Sequence, residues 1–112
     1  MSAPTFEVQL TDGAEDDLEA LNDYIAANRS PAEANALIDA LLETIQTLET
    51  WPYRGAIPTE LDALGIGEFR QILHTPYRLI YRIDGQSVNI SLIADGRRDM
   101  QALLERRLLG RG

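Results

Sequence analysis

Cysteine and lysine are both missing from this 112-residue chain, and histidine and tryptophan occur once each. Without cysteine there can be no disulfide, no thiolate-held zinc and no thiol nucleophile. The single histidine, His74, cannot build a multi-histidine metal site, and the carboxylates that would have to replace it are scattered over helix surfaces. No metal and no cofactor is therefore expected. Long apolar runs are also missing: none approaches the roughly 20 residues that cross a bilayer. The opening residues MSAPTFEV lack the basic and apolar regions of a secretory leader. A soluble, cytoplasmic protein with no membrane partner is the expectation. A glycine-rich phosphate loop is absent too, because GIGEF at 65–69 is too short and follows no strand.

What is present suits one compact domain spanning 1–112, with 45% hydrophobic residues to build a core. The formal net charge is −8. Proteins that grip nucleic acid through its phosphates are usually basic, since each neutralised phosphate contributes through counterion release. General nucleic-acid binding is accordingly not expected. The charge is uneven. Residues 1–55 hold eleven acids against two arginines, a balance of −9, and residues 56–112 hold seven acids against eight arginines, a balance of +1. Any electropositive surface has to come from the C-terminal half. The exclusive use of arginine is equally well explained by the base composition of the coding sequence.

Hydrophobic periodicity divides the chain into elements. FEVQL at 6–10 alternates as a half-buried strand. Residues 13–28 follow with helical spacing at Ala14, Leu18, Leu21 and Ile25, behind a capping box formed by Asp12 and Glu15. SPAE at 30–33 starts a second helix, with Ser30 as N-cap and Pro31 at the first position. Its stripe of Ala34, Leu37, Ile38, Leu41, Leu42, Ile45 and Leu48 runs to about Thr50, where Trp51–Pro52 stops it. Residues 52–68 read as a long loop with one helical turn near Thr59–Leu64.

The period then becomes two. FRQILHT, YRLIYRI and SVNISLIA read as three strands, the last two joined by an Asp84–Gly85 hairpin turn. Val88, Ile90, Leu92 and Ala94 are assigned to one core face. RRDMQALLERRLLG closes the chain as a short helix with Met100, Leu103, Leu104 and Leu108 inward. The fold class is α+β: an N-terminal strand, a helical hairpin on one face of a sheet, a three-stranded antiparallel meander in that sheet, and a short C-terminal helix.

The candidate working surface is the arginine set Arg70, Arg78, Arg82, Arg97 and Arg98, with Tyr77 and Tyr81 adding aromatic area. Arg78 and Arg82 share a strand face. Arg97 and Arg98 follow the last strand, so the groups can converge at one end of the sheet. Guanidinium suits bidentate contact with phosphate or carboxylate. The alternative is that Arg78 and Arg82 pair with acids from the helices or face water.

The segments SPAEANALIDALLETIQTLETWP, RQIL, YRLIYRID and ISLIADGRRDM, in this order, resemble the ParE branch of the RelE/ParE toxin superfamily. The resemblance covers nearly the whole chain. It implies the toxin half of a type II toxin–antitoxin (plasmid-stabilisation) system. Its partners would be a ParD-like antitoxin and, for ParE-like members, DNA gyrase. RelE-like relatives instead cut messenger RNA in the ribosomal A site with basic residues and often a C-terminal tyrosine. Carried onto this chain, Arg78 and Arg98 match two arginine positions of that nuclease pattern. The lysine-rich segment before the sheet has no counterpart beyond Arg54, and Leu104 fills the tyrosine position. Cleaving RNA requires a base as well as cations, so the resemblance implies a toxin that binds gyrase and does not cut. A ribosome-dependent endonuclease and a non-toxic partner-binding relative are the alternatives. The antitoxin is expected to cover an apolar groove on the helical hairpin, at Leu37, Leu41 and Ile45.

Overall fold

A computed structural model describes residues 5–110. The first four residues, part of the stretch read for a leader, lie outside the described residues. The elements are β1 (Glu7–Leu10), α1 (Asp12–Asn28), α2 (Pro31–Gln46), two short 3-10 turns (Thr47–Glu49 and Pro52–Arg54), α3 (Thr59–Asp62), β2 (Phe69–His74), β3 (Tyr77–Asp84), β4 (Ser87–Asp95) and α4 (Met100–Leu108).

Local chemistry explains the helix starts. Ser30 is extended, and its hydroxyl accepts from the Glu33 amide at 3.1 Å, with Pro31 placed where its missing N–H is not needed. The cap of α1 is Thr11, not Asp12: its Oγ1 accepts from the Ala14 amide at 3.2 Å. Asp12 instead enters the first turn, where a carboxylate favours the positive end of the helix dipole. The α2 helix proper ends at Gln46, and a 3-10 turn over Thr47–Glu49 carries the chain to Trp51–Pro52.

The four strands form one sheet in the order β1-β4-β3-β2, with β1 parallel to β4 and the other pairs antiparallel. α1 and α2 cover one face, over Leu41, Ile45, Leu48, Ile72, Leu79, Tyr81, Val88, Ile90 and Ile93. The opposite face is covered as well, by α3 and α4 over Leu61, Phe69, Ile80, Leu92, Met100, Leu103 and Leu104. Each fully buried leucine or isoleucine in these layers contributes about 1.5–3 kcal/mol.

One strand departs from simple alternation. Ile80 pairs with Leu92 but Tyr81 pairs with Ile90, so Ser91 is an extra residue in β4. The bulge reverses the inward parity. Val88 and Ile90 face α1 and α2, whereas Leu92 and Ala94 face α3 and α4. The expectation of a single core face for all four is corrected accordingly.

The bulge also coincides with the end of β1, which pairs only with Ser87–Ile90. Beyond it, side chains occupy the open edge of β4. Asp17 of α1 accepts from the Ile93 amide at 3.0 Å, and Arg107 of α4 donates to the Ser91 carbonyl at 3.3 Å. The two side chains also join to each other at 2.8 and 3.1 Å. They tie the two helical layers together around the sheet edge. Gly13 makes room for this contact, since a Cβ there would lie 2.6 Å from an Arg107 nitrogen.

Candidate functional site

The five candidate arginines do not converge. Arg78 lies beneath α3, its side chain only 14% exposed. Nη1 and Nη2 donate to the two Glu60 oxygens at 2.7 and 2.8 Å, and Nε donates to Gln71 Oε1 at 2.7 Å. The Arg78 hydrogen bonds hold the Glu60 carboxyl at about 2, well below its ordinary value. Gly96 packs on this side chain: a Cβ there would lie 2.8 Å from Arg78 Cδ. The pairing with a helix acid, one of the two alternatives left open by the sequence, is what occurs.

Arg82 shares that face of the sheet but stands at its far end, paired with Glu68 and Asp84, both at 3.0 Å. Arg70, opposite Tyr81 in register, lies on the α1–α2 face. Its Nη1 donates to the carbonyls of Gly55 (2.8 Å) and Tyr53 (3.3 Å), and its guanidinium sits 5.3 Å from the centre of the Tyr53 ring.

Tyr81 cannot serve as a contact residue. It is fully buried, its hydroxyl donating to the Pro52 carbonyl at 2.6 Å and accepting from the Gly55 amide at 3.1 Å. Burial pushes its phenol above the ordinary value. Tyr81 pins the 52–55 loop to the sheet. Gly55 is required there, because a Cβ would come within 2.5 Å of the Tyr81 oxygen. Leu41 and Ile45 are core residues, and Leu37 packs against the same core. All three hold α2 to the sheet, and of them only Ile45 also lines a groove.

Tyr77, Arg97 and Arg98 are the candidates that do meet. With α1 they line a cleft of about 520 Å³ at the end of the sheet. Leu21, Ile25 and Ile93 form apolar walls, and Tyr24, Asn28 and Arg29 line the α1 side. Arg97 is bound to Asp95 at 2.6 Å, which holds the Asp95 carboxyl at about 2. Among the described residues, Arg98 and Arg29 have no carboxylate partner. Both are exposed. Arg29 went unnoticed in the sequence because it sits in an acidic half, and only the corner between α1 and α2 brings it to the C-terminal arginines.

A second groove, of about 560 Å³, runs between β1 and α2. Val8, Leu10, Leu42 and Ile45 line it together with Asp39, Glu43 and Gln46. β1 is an edge strand, so its outer backbone has no strand partner among the described residues. His74 lies on the α1–α2 face, its Nδ1 3.4 Å from Thr44 Oγ1, on the opposite side of the sheet from Arg78. Among the described residues no cluster of three His, Asp or Glu could hold a metal ion. No helix among them is long and apolar enough to cross a membrane.

Comparison with known proteins places these features in context. The family described as ParE toxin of type II toxin-antitoxin system, parDE, matches residues 8–100. A chain of the chromosomal ParDE system from P. aeruginosa has the same fold, with a TM-score of 0.69 at 20% identity, over 83% of this chain and 98% of that one. A chain of the toxin–antitoxin complex RelBE2 from Mycobacterium tuberculosis gives a TM-score of 0.58 at 25% identity, over 81% of this chain and 98% of that one. No curated protein matches the sequence.

Proposed function

Because the chain belongs to the ParE toxin family of type II toxin–antitoxin systems, we propose that it is a cytoplasmic toxin that inhibits DNA gyrase by binding, and that a cognate ParD-like antitoxin neutralises it. One observation favours binding over cleavage: the histidine and the carboxylates that could accept a proton stand apart from the cations or are already paired with them. Arg78, the better buried of the two arginines at nuclease-like positions, is held on three donors by Glu60 and Gln71. His74 stands across the sheet from it. In the cleft, Asp95 is held by Arg97 and Asp17 by Arg107. A carboxylate as acidic as Asp95 is a poor proton acceptor near neutral pH.

The cleft between α1 and the end of β4 is the surface assigned to the target. It combines apolar walls with Arg29, Arg97 and Arg98 in a concave site, the composition of a recognition surface rather than of a solvated face. The antitoxin is assigned to the groove between β1 and α2, where Val8, Leu10 and Leu42 join Ile45, while Leu37 and Leu41 do not line it. An edge strand beside an apolar groove suits a segment that folds as it binds.

Supercoiling by purified gyrase, titrated with the toxin, tests the target. Inhibition relieved by the antitoxin is the expected result. Intact supercoiling, together with codon-linked cleavage of messenger RNA on translating ribosomes, would assign the chain to the endonuclease reading.

A further inference from the structure

The only tryptophan of the chain is on its surface. Trp51 is 66% exposed and Tyr53, two residues on, is 61% exposed. Large rings left in water at this level, two residues apart on one loop, present apolar surface that the core does not take up. The patch lies away from the cleft. Arg70, which carries the Tyr53 ring, is opposite Tyr81 in register, and the cleft residue Tyr77 is four residues earlier on β3. That separation is about 13 Å along the strand.

One guanidinium lies over a ring of this loop, and a second belongs to the loop itself. Arg70 lies over Tyr53, fixed by the Gly55 and Tyr53 carbonyls. Arg54 donates to Thr47 Oγ1 at 2.7 Å. Neither has a carboxylate partner among the described residues, whereas Arg78, Arg82, Arg97 and Arg107 all do. The acids nearest to them in sequence are engaged elsewhere: Glu49 accepts from the Gln46 amide at 3.0 Å, and Glu68 pairs with Arg82 at 3.0 Å. In a chain of net charge −8, two guanidiniums without acids next to two exposed rings are a local reversal of sign.

The patch is also held in place. The Phe6 ring meets Tyr53 edge-on at 6.1 Å. Pro52, between the two exposed rings, is buried, and its carbonyl accepts the Tyr81 hydroxyl. The loop is thus anchored to the core from below, so ordering it on binding costs little. Tryptophan, tyrosine and arginine are the residues that dominate binding energy at protein interfaces.

We infer that the surface formed by Trp51, Tyr53, Arg54 and Arg70 docks an acidic protein segment, its carboxylates on the two guanidiniums and an apolar side chain against the rings. Charge complementarity selects this occupant. A nucleic-acid strand is the poorer fit, because only two cations would neutralise phosphates and the rest of the chain repels a polyanion.

Trp51 reports on its own surroundings, which makes the test direct. The full chain is titrated, with its tryptophan emission recorded, against three probes. The first is a capped 12-residue peptide of Asp, Glu and Leu; the second carries Asn and Gln in place of the acids; the third is a 12-nucleotide oligo-dT. A saturable blue shift with the acidic peptide alone is expected. Arg70→Glu should weaken that binding by about fivefold or more. Arg54→Glu, at an exposed position, gives the same reading if the Arg70 variant does not fold, as judged by circular dichroism. No shift with the acidic peptide, an equal shift with the neutral one, or a shift with oligo-dT alone would each overturn the assignment.

Discussion

Arg78 and Glu60 are joined by two parallel hydrogen bonds of 2.7 and 2.8 Å beneath α3. The pair fixes a four-residue helix, whose Leu61 is seated in the core, to the start of β3. Removing one partner leaves a largely buried charge alone, so Glu60→Gln and Arg78→Ala should each destabilise the fold by about 1–3 kcal/mol. Arg98→Glu, at an exposed position, should stay within about 0.5 kcal/mol of the parent. Urea unfolding of the three variants checks this. Any loss of toxicity in Arg78→Ala should follow the loss of folded protein, whereas Arg98→Glu should lose toxicity while fully folded.

The same carboxylate sets an acid limit. Glu60 and Asp95 titrate at about 2 in the folded chain, below their ordinary values of 4.5 and 3.8. A group with a depressed folded value contributes stability that is fully present above the ordinary value and lost as pH falls toward the folded one. Stability should therefore fall between about pH 4.5 and 2. Glu60→Gln should flatten part of that fall, as thermal unfolding across the range would show.

Tyr81→Phe removes a hydroxyl that satisfies two backbone groups of the 52–55 loop. Leaving a buried amide and a buried carbonyl unpaired costs about 1–3 kcal/mol. The loss should appear in the urea midpoint. It should be accompanied by a change in Trp51 emission, because the loop carrying Trp51 is released.

Gly13→Ala sets two effects against each other. Alanine in a helix is favoured over glycine by up to about 1 kcal/mol, but its Cβ would displace the Arg107 guanidinium from 2.6 Å. The displaced guanidinium would leave Asp17 and the open edge of β4. A net loss of stability is expected, with faster hydrogen exchange at the Ile93 amide. Exchange unchanged from the parent would contradict the clamp.

Much of the fold could be read in the residues, and its exceptions have identifiable causes. Ser30, Pro31 and Glu33 announce a helix start that depends on neighbours three residues apart, and the helix begins there. The face switch in β4 could not be read, because the apolar run Leu92–Ile93–Ala94 fits either face and only pairing with Ile80 and Tyr81 makes Ser91 the extra residue. The alternation in YRLIYRI puts Tyr81 and Arg78 on opposite faces but does not show what either side chain meets. Their fates depend on Pro52, Gly55 and Glu60, which lie 18 to 29 residues away in a loop without periodicity. The cleft is half legible: Arg97 and Arg98 were marked by their dipeptide, and Arg29 by nothing local.

Occupation of the target by the folded toxin is the proposed mode of arrest. Supercoiling by purified gyrase in the presence of the purified toxin measures this most directly. Dose-dependent inhibition by the parent chain is expected, weakened in the Arg97→Glu and Arg98→Glu variants and reversed by the antitoxin. Gyrase that supercoils normally at every toxin concentration, alongside messenger RNA cut on the ribosome, would contradict it.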